Sequence, residues 1–257
     1  MAQAKADFER DPHDPEAIIW LGRRTAYLGR YREAIAIYSN GIQRYPSNAK
    51  LYRHRGHRYL TVRELDKAIA DLEKAANLMA GKPDEVEPDG MPNPKNIPRS
   101  TTQSNIWYHL GLAYYVRGDF VGAHRAFATC LEFSKNDDMI VATSYWLYLT
   151  LRRLDRDAEA KQVLRPIHGN MDVIENFTYH QLLLLYKGKK SPESLLECPE
   201  ADEVTHATLL YGLGSWYLVA GQTEKAKSIF EKIIKGKQWP AFGFLAAEAE
   251  LTRQQSR

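Results

Sequence analysis

The chain has 257 residues, 44% of them hydrophobic and 26% charged, with a formal net charge of +3. That is a folding composition with enough apolar surface for one or two conventional domains or one extended array, and so small a charge does not by itself call for a nucleic-acid partner. The longest apolar runs, Trp146 to Leu149 and Leu182 to Tyr186, fall far short of the roughly 20 residues a spanning helix needs, and the two cysteines, Cys130 and Cys198, form neither a disulfide framework nor a CxxC pair.

In chain order, Phe8 to Pro12 (FERDP) stands one 34-residue step ahead of Pro46 and reads as the tail of an earlier helix. This leaves open an upstream extension, a removed signal segment included, and with it a cytoplasmic or an exported location. Residues 15–48 carry Ile18, Leu21 and Gly22, then Ala34, Tyr38 and Pro46; adding 34 gives Tyr52, Gly56, Tyr59, Ala68 and Leu72 in residues 49–80. Residues 81–103 hold Pro83, Pro88, Pro92, Pro94 and Pro98, which cannot continue a helix and predict an irregular loop inserted between two units. Loops of this length in a compact array are often functional. Residues 104–137 resume the frame with Trp107, Leu110, Gly111, Tyr114, Ala123 and Phe127. Residues 141–173 keep it, without the frame's glycines, in Leu147, Leu151, Ala160, Leu164 and Ile167, and residues 174–206 keep only Phe177, Leu184 and Gly188. Residues 207–239 restore it with Leu210, Leu213, Gly214, Tyr217, Ala226 and Phe230. The remaining residues, 240–257, predict a terminal capping helix with Phe244 and Leu245 inward and Glu248, Glu250 and Arg253 outward.

The W-x-x-L-G-x-x-Y stretch from Trp107 to Tyr114, followed by A-x-x-x-F, resembles the tetratricopeptide repeat, of a bacterial type. The resemblance implies an all-α fold. Over 1–257 it would be one right-handed superhelical solenoid of stacked antiparallel helix pairs, about six repeats and a capping helix. Gly22, Gly56, Gly111 and Gly214 then lie inside first helices, where a missing side chain admits the partner helix. Gly29, Gly118 and Gly221 become left-handed caps. Ala34, Ala68, Ala123 and Ala226 keep the second helix close, and the aromatic or leucine four residues later fills space against the next unit.

Chemical motifs are sparse. His54 and His57 lie one helical turn apart without a third ligand at suitable spacing, so a groove-lining or solvated role outweighs a metal site. His109 and His124 have no evident carboxylate or nucleophile partner, Cys130 reads as buried and inert, Cys198 as a loop residue, and neither G-x-x-x-x-G-K-[ST] nor G-x-G-x-x-G after a strand occurs. The expectation is a protein without enzyme activity, cofactor or metal.

What remains is the surface that stacking creates. In the family the first helices line a concave face that holds peptides or helices. Carried over by frame, the lining here is Arg23 and Tyr27; Lys50, Arg53 and His57; Asn105, Tyr108 and Tyr115; Tyr145 and Arg152; and Tyr211. The groove would be basic at its N-terminal end and tyrosine-rich onward, suited to an acidic protein or peptide partner. The positions of the family's chaperone-tail carboxylate clamp hold Ile19, Arg23, His54, Asn105 and His109, so that clamp is absent. The reading is a non-catalytic protein–protein interaction scaffold. The alternative is an RNA-binding helical-repeat protein, resting on Arg53, Arg55, Arg58 and Arg63 in RHRGHRYLTVR. The insertion starts with an acidic stretch, Asp84, Glu85, Glu87 and Asp89, beside the basic end of the groove. Two readings of it stand open: a lid competing with an acidic ligand, and a tolerated surface loop.

Overall fold

Helix starts and stops follow a chemistry that recurs from one hairpin to the next. The computed structural model describes residues 1–196 and 203–255. Asp14, Asn48, Asp119 and Asn136 each turn a side-chain oxygen back onto a backbone N–H to start α2 (Pro15–Tyr27), α4 (Ala49–Thr61), α7 (Phe120–Phe133) and α8 (Asp137–Arg153), satisfying a donor the helix itself cannot. The predicted stops at Gly29, Gly118 and Gly221 have φ of 76°, 91° and 77°. Arg63 and Asp155 adopt the same left-handed backbone at φ 64° and 56° after α4 and α8, where glycine would relieve the Cβ crowding.

The fold is all-α. Among the described residues the other helices are α1 (Ala2–Arg10), α3 (Tyr31–Arg44), α5 (Leu65–Met79), α6 (Thr102–Arg117), α9 (Asp157–Val163), α10 (Phe177–Tyr186), α11 (Pro192–Leu196), α12 (Glu203–Val219), α13 (Thr223–Ile234) and α14 (Phe242–Gln255). They pack as stacked antiparallel pairs, as in α2 with α3, α4 with α5, α8 with α9 and α12 with α13. None is long and apolar enough to cross a membrane. The chain divides into two compact units, residues 1–113 and 114–257, at a point inside α6.

One contact sets the spacing within the hairpins. A Cβ built on Gly22 would lie 2.3 Å from the Tyr38 ring, one on Gly56 2.8 Å from Leu72, and one on Gly214 2.4 Å from the Phe230 ring. Each large side chain is therefore seated on the glycine of its own hairpin, which corrects the expectation that it mainly fills space against the next unit. Tyr38 also reaches the next unit, stacking on His54 at 5.8 Å between ring centroids. Ala34, Ala68 and Ala226 are fully buried at the crossing, as their small size requires.

The units without a glycine inside the first helix hold by other means. Leu147, Leu151, Ala160, Leu164 and Ile167 are all buried. Asp138, fully buried at the start of α8, accepts the backbone N–H groups of Ile174, Glu175 and Asn176 at 2.8 to 3.1 Å and so ties down the segment that leads into α10. Part of the expected degenerate repeat, with Cys198, lies outside the described residues. Cys130 is buried, and burial pushes its thiol up to about 12, so it has no thiolate chemistry near neutral pH.

In α14, Phe244 and Leu245 point inward as expected, but Glu250 does too. It is ion-paired with Arg153 of α8 and with Arg253, the latter at 2.8 Å. Two guanidiniums make an inward carboxylate tolerable, which the apolar periodicity of the helix could not register.

Gly214→Leu is expected to lower the unfolding free energy by at least about 2 kcal/mol through overpacking against Phe230. Asp138→Ala should lower it by about 3 kcal/mol by orphaning buried N–H groups. Both are read from urea unfolding, with Val121→Ser, an exposed position, as the neutral control.

Candidate functional site

The 34-residue step places Arg23 and His57 at one register position, and Ile19 and Arg53 at another. Helices α2 and α4 pack against each other, so these side chains come to one face of the first unit. The insertion runs back across that face. Lys50 Nζ pairs with Glu85 at 3.2 Å as well as with Glu16 at 3.1 Å, and Arg53 Nη2 pairs with Glu87 Oε1 at 3.1 Å. Arg23 donates to the Pro88 carbonyl at 2.8 Å and Arg24 to the Gly90 carbonyl at 2.9 Å. Gly90 lies against Tyr27, where a Cβ would fall 1.7 Å from the phenol oxygen. Only glycine allows that approach.

The segment is held in shape by its own ends. Val86 and Thr101 form an antiparallel bridge. Glu87 N–H donates to Ser100 O at 3.0 Å and Thr102 N–H to Glu85 O at 2.8 Å. The Asp84 carboxylate accepts the Gln103 N–H at 3.0 Å, at the start of α6. Residues 84–90 thus form an extended strap over α2 and α4, and the strap's Glu87 is only 6% exposed.

Beneath it is an unusual density of positive charge. The side chains of Arg53 and Glu87 are 8% and 6% exposed, so the pair is a buried one that neither partner can leave without a large penalty to the other. Arg53 Nη1 lies 2.9 Å from His54 Nδ1; a guanidinium can only donate, so Nδ1 accepts and the His54 proton is on Nε2. His109 Nδ1 donates to Asn105 O at 2.6 Å, and its ring lies 4.0 Å from that of His57. Burial pushes His54, His57 and His109 well below the ordinary histidine range, and the charges of Arg53 and Arg58 add to it. All three are neutral at pH 7. Arg58 faces the Tyr31 ring at 5.7 Å and, among the described residues, makes no hydrogen bond or ion pair. A cavity of about 100 Å³ lies among Arg23, Arg53, Arg58, Tyr38, His54 and His57.

The other expected lining residues are placed differently. Asn105 holds Ser100 Oγ at 2.9 Å as well as receiving His109, and Tyr108 is buried edge-on to His109 at 5.7 Å, so both support the foot of the strap. Tyr115, Tyr145 and Tyr211 are at most 1% exposed and belong to the interior of the second unit. Their rings pack around Trp146 at 5.1 to 5.7 Å, and the Tyr115 and Tyr211 hydroxyls hydrogen-bond at 2.9 Å. Burial, with Glu250 nearby, pushes Tyr115 up to about 12. The expected tyrosine-rich groove is therefore an aromatic core, because rings at inward register positions bury more surface against one another than against water. Arg152 is partly buried, pairs with Asp157 at 2.8 Å and borders a cavity of about 410 Å³ beside Arg153 and Glu250. In the arginine run that suggested RNA, Arg53 is held by Glu87, Arg55 is bidentate to Asp71 at 2.7 and 2.8 Å, and Arg63 donates to Thr61 O at 2.6 Å. Sequence reasoning missed Arg24, Tyr38 and the part Arg58 plays here; their only signal was proximity to Arg23, the repeat frame and the run itself.

Residues 208–235, in α12 and α13, match the tetratricopeptide repeat family. Among solved structures the chain is similar to YrrB, "a TPR protein with an unusual peptide-binding site", with 16% identity, a TM-score of 0.50, and 96% of this chain and 97% of that one covered. It is also similar to a tetratricopeptide repeat protein from Parabacteroides merdae, with 17% identity, a TM-score of 0.55, and 96% and 90% covered. No curated protein sequence matches the chain. The chain contains a tetratricopeptide repeat and has the fold of proteins built from them.

The neutral histidines set a pH dependence. Their folded pKa values lie below the unfolded value of about 6.5, so the unfolded chain takes up protons below pH 6.5 that the folded unit does not. Stability is then present above about pH 6.5 and lost as pH falls, by up to about 1.4 kcal/mol per pH unit for each histidine. Urea unfolding at pH 7, 6 and 5 should show this decline, with a shallower slope in His109→Gln than in the wild type.

Proposed function

We propose that the protein is a non-catalytic interaction module, and that its first unit binds an acidic, extended segment of a partner protein across Arg23, Tyr27, Lys50, Arg53 and His57. The observation that carries this reading is the strap. The chain's own DEVEPDG already lies on this face with two carboxylates on Lys50 and Arg53 and two carbonyls on Arg23 and Arg24. Every one of those contacts is of a kind that another acidic peptide can make. YrrB's description as having a peptide-binding site supports the class of ligand. On this reading the strap is an internal competitor. Tethering gives it an effective concentration on the order of millimolar, which a partner must overcome. The second unit, with its inner face filled by rings, serves as a structural extension.

The experiment replaces residues 82–99 with a short Gly/Ser linker and titrates a blocked synthetic peptide of residues 84–90 by fluorescence polarisation. The peptide is expected to bind the strapless chain at least tenfold more tightly than the intact chain, with affinity falling as salt rises. Arg53→Glu in the strapless chain should abolish binding. A folded strapless chain that ignores the peptide, or binds it equally well with Arg53→Glu, would overturn the proposal.

A further inference from the structure

The strap neutralises only part of the charge beneath it. Among the described residues, Arg53 of the three arginines Arg23, Arg53 and Arg58 has an ion pair, with Glu87. Asp89 lies near Arg23 without pairing to it, and Arg23's hydrogen bond goes to a neutral carbonyl. The flanking histidines contribute donors but no charge. The three guanidiniums share the site with the Glu87 and Asp89 carboxylates, whose Oε2 and Oδ2 also lack a hydrogen-bond partner, so one positive charge is left over, and burial of unmatched charge is unfavourable unless something of opposite sign arrives.

The donors left over are specific. Arg53 Nε has no hydrogen-bond partner although the side chain is 8% exposed. Arg58 faces the Tyr31 ring at 5.7 Å and feels the Tyr38 hydroxyl. Tyr38 is 1% exposed, and burial pushes its pKa well up, so its hydroxyl stays protonated and able to donate. These groups come from α3 and α4, with Arg23 from α2, and all border the same cavity of about 100 Å³. That is room for about three water molecules. A carboxylate would use donors in one plane. A tetrahedral anion accepts from all sides, which suits guanidiniums and a hydroxyl arriving from three helices.

We propose that this cavity is a binding site for one phosphate-class oxyanion, held by Arg23, Arg53, Arg58 and Tyr38 with the strap in place. The anion supplies the charge that Glu87 and Asp89 leave unmatched, and joins α2, α3 and α4 at one point. The site does not depend on the peptide reading, because it needs no displacement of the strap. The phosphoryl group can be free inorganic phosphate or one carried on a peptide side chain.

The test titrates inorganic phosphate into the intact full chain by isothermal titration calorimetry, with chloride at matched ionic strength as the blank. Saturable binding is expected for the wild type, weakened at least tenfold by Arg58→Gln and several-fold by Tyr38→Phe, and unchanged by Arg30→Gln, an exposed arginine paired with Glu33. A second titration compares phosphate with N-acetyl-phosphoserine amide, which carries a side-chain phosphoryl group without the strap's own sequence. Tighter binding of the phosphoserine assigns the site to a modified partner; equal or weaker binding assigns it to the free ion. No binding above the chloride blank, or binding by Arg58→Gln equal to wild type, overturns the site. If Arg58→Gln does not fold, Tyr38→Phe decides, since it removes one hydroxyl and keeps the ring on Gly22.

Discussion

The close seating of a large side chain on a glycine is the contact from which the remaining geometry follows. Where Tyr38 meets Gly22, Leu72 meets Gly56 and Phe230 meets Gly214, no Cβ could intervene, so the two helices of a hairpin are held at one distance and one rotation. With the rotation fixed, residues 34 apart on successive first helices must share a face. The placement of Arg23 and His57 around one cavity is therefore a consequence of packing in the core.

That constraint explains how a single frame yields two different interiors. In the first unit the inward positions carry arginines and histidines, which cannot close on one another because like charges and unmatched donors resist burial. They are covered instead by a segment bringing carboxylates and carbonyls. In the second unit comparable positions carry Tyr115, Tyr145, Trp146 and Tyr211, which close on one another without help and exclude water. Polarity at a few inward positions decides whether the unit forms a core or a site.

The strap also shows why glycine and proline stand where they do in the insertion. Prolines keep 83–98 from continuing α5 as a helix, Gly90 permits contact with Tyr27 that any side chain would block, and Asp84 turns its carboxylate to the start of α6. The acidic residues between these points are thereby delivered in an extended form to Lys50 and Arg53. An irregular sequence is held in one conformation by the charged face it covers.

The repeat frame, the helix hairpins, the left-handed stops at Gly29, Gly118 and Gly221 and the basic character of the first unit were legible in the sequence. Each is a local or strictly periodic property: a cap, a missing side chain, a 34-residue step. The buried Glu250, the aromatic closure of Tyr115 on Tyr211 and the pairing of Arg53 with Glu87 were not, since each depends on which of several inward or charged groups meets a partner far along the chain. Sequence spacing supplied the register and the attraction between an acidic loop and a basic face. Tertiary packing alone decided which carboxylate is buried, which tyrosines are core, and which arginines are left without a counter-charge, because burial and pairing are properties of three-dimensional neighbours and not of position in the chain.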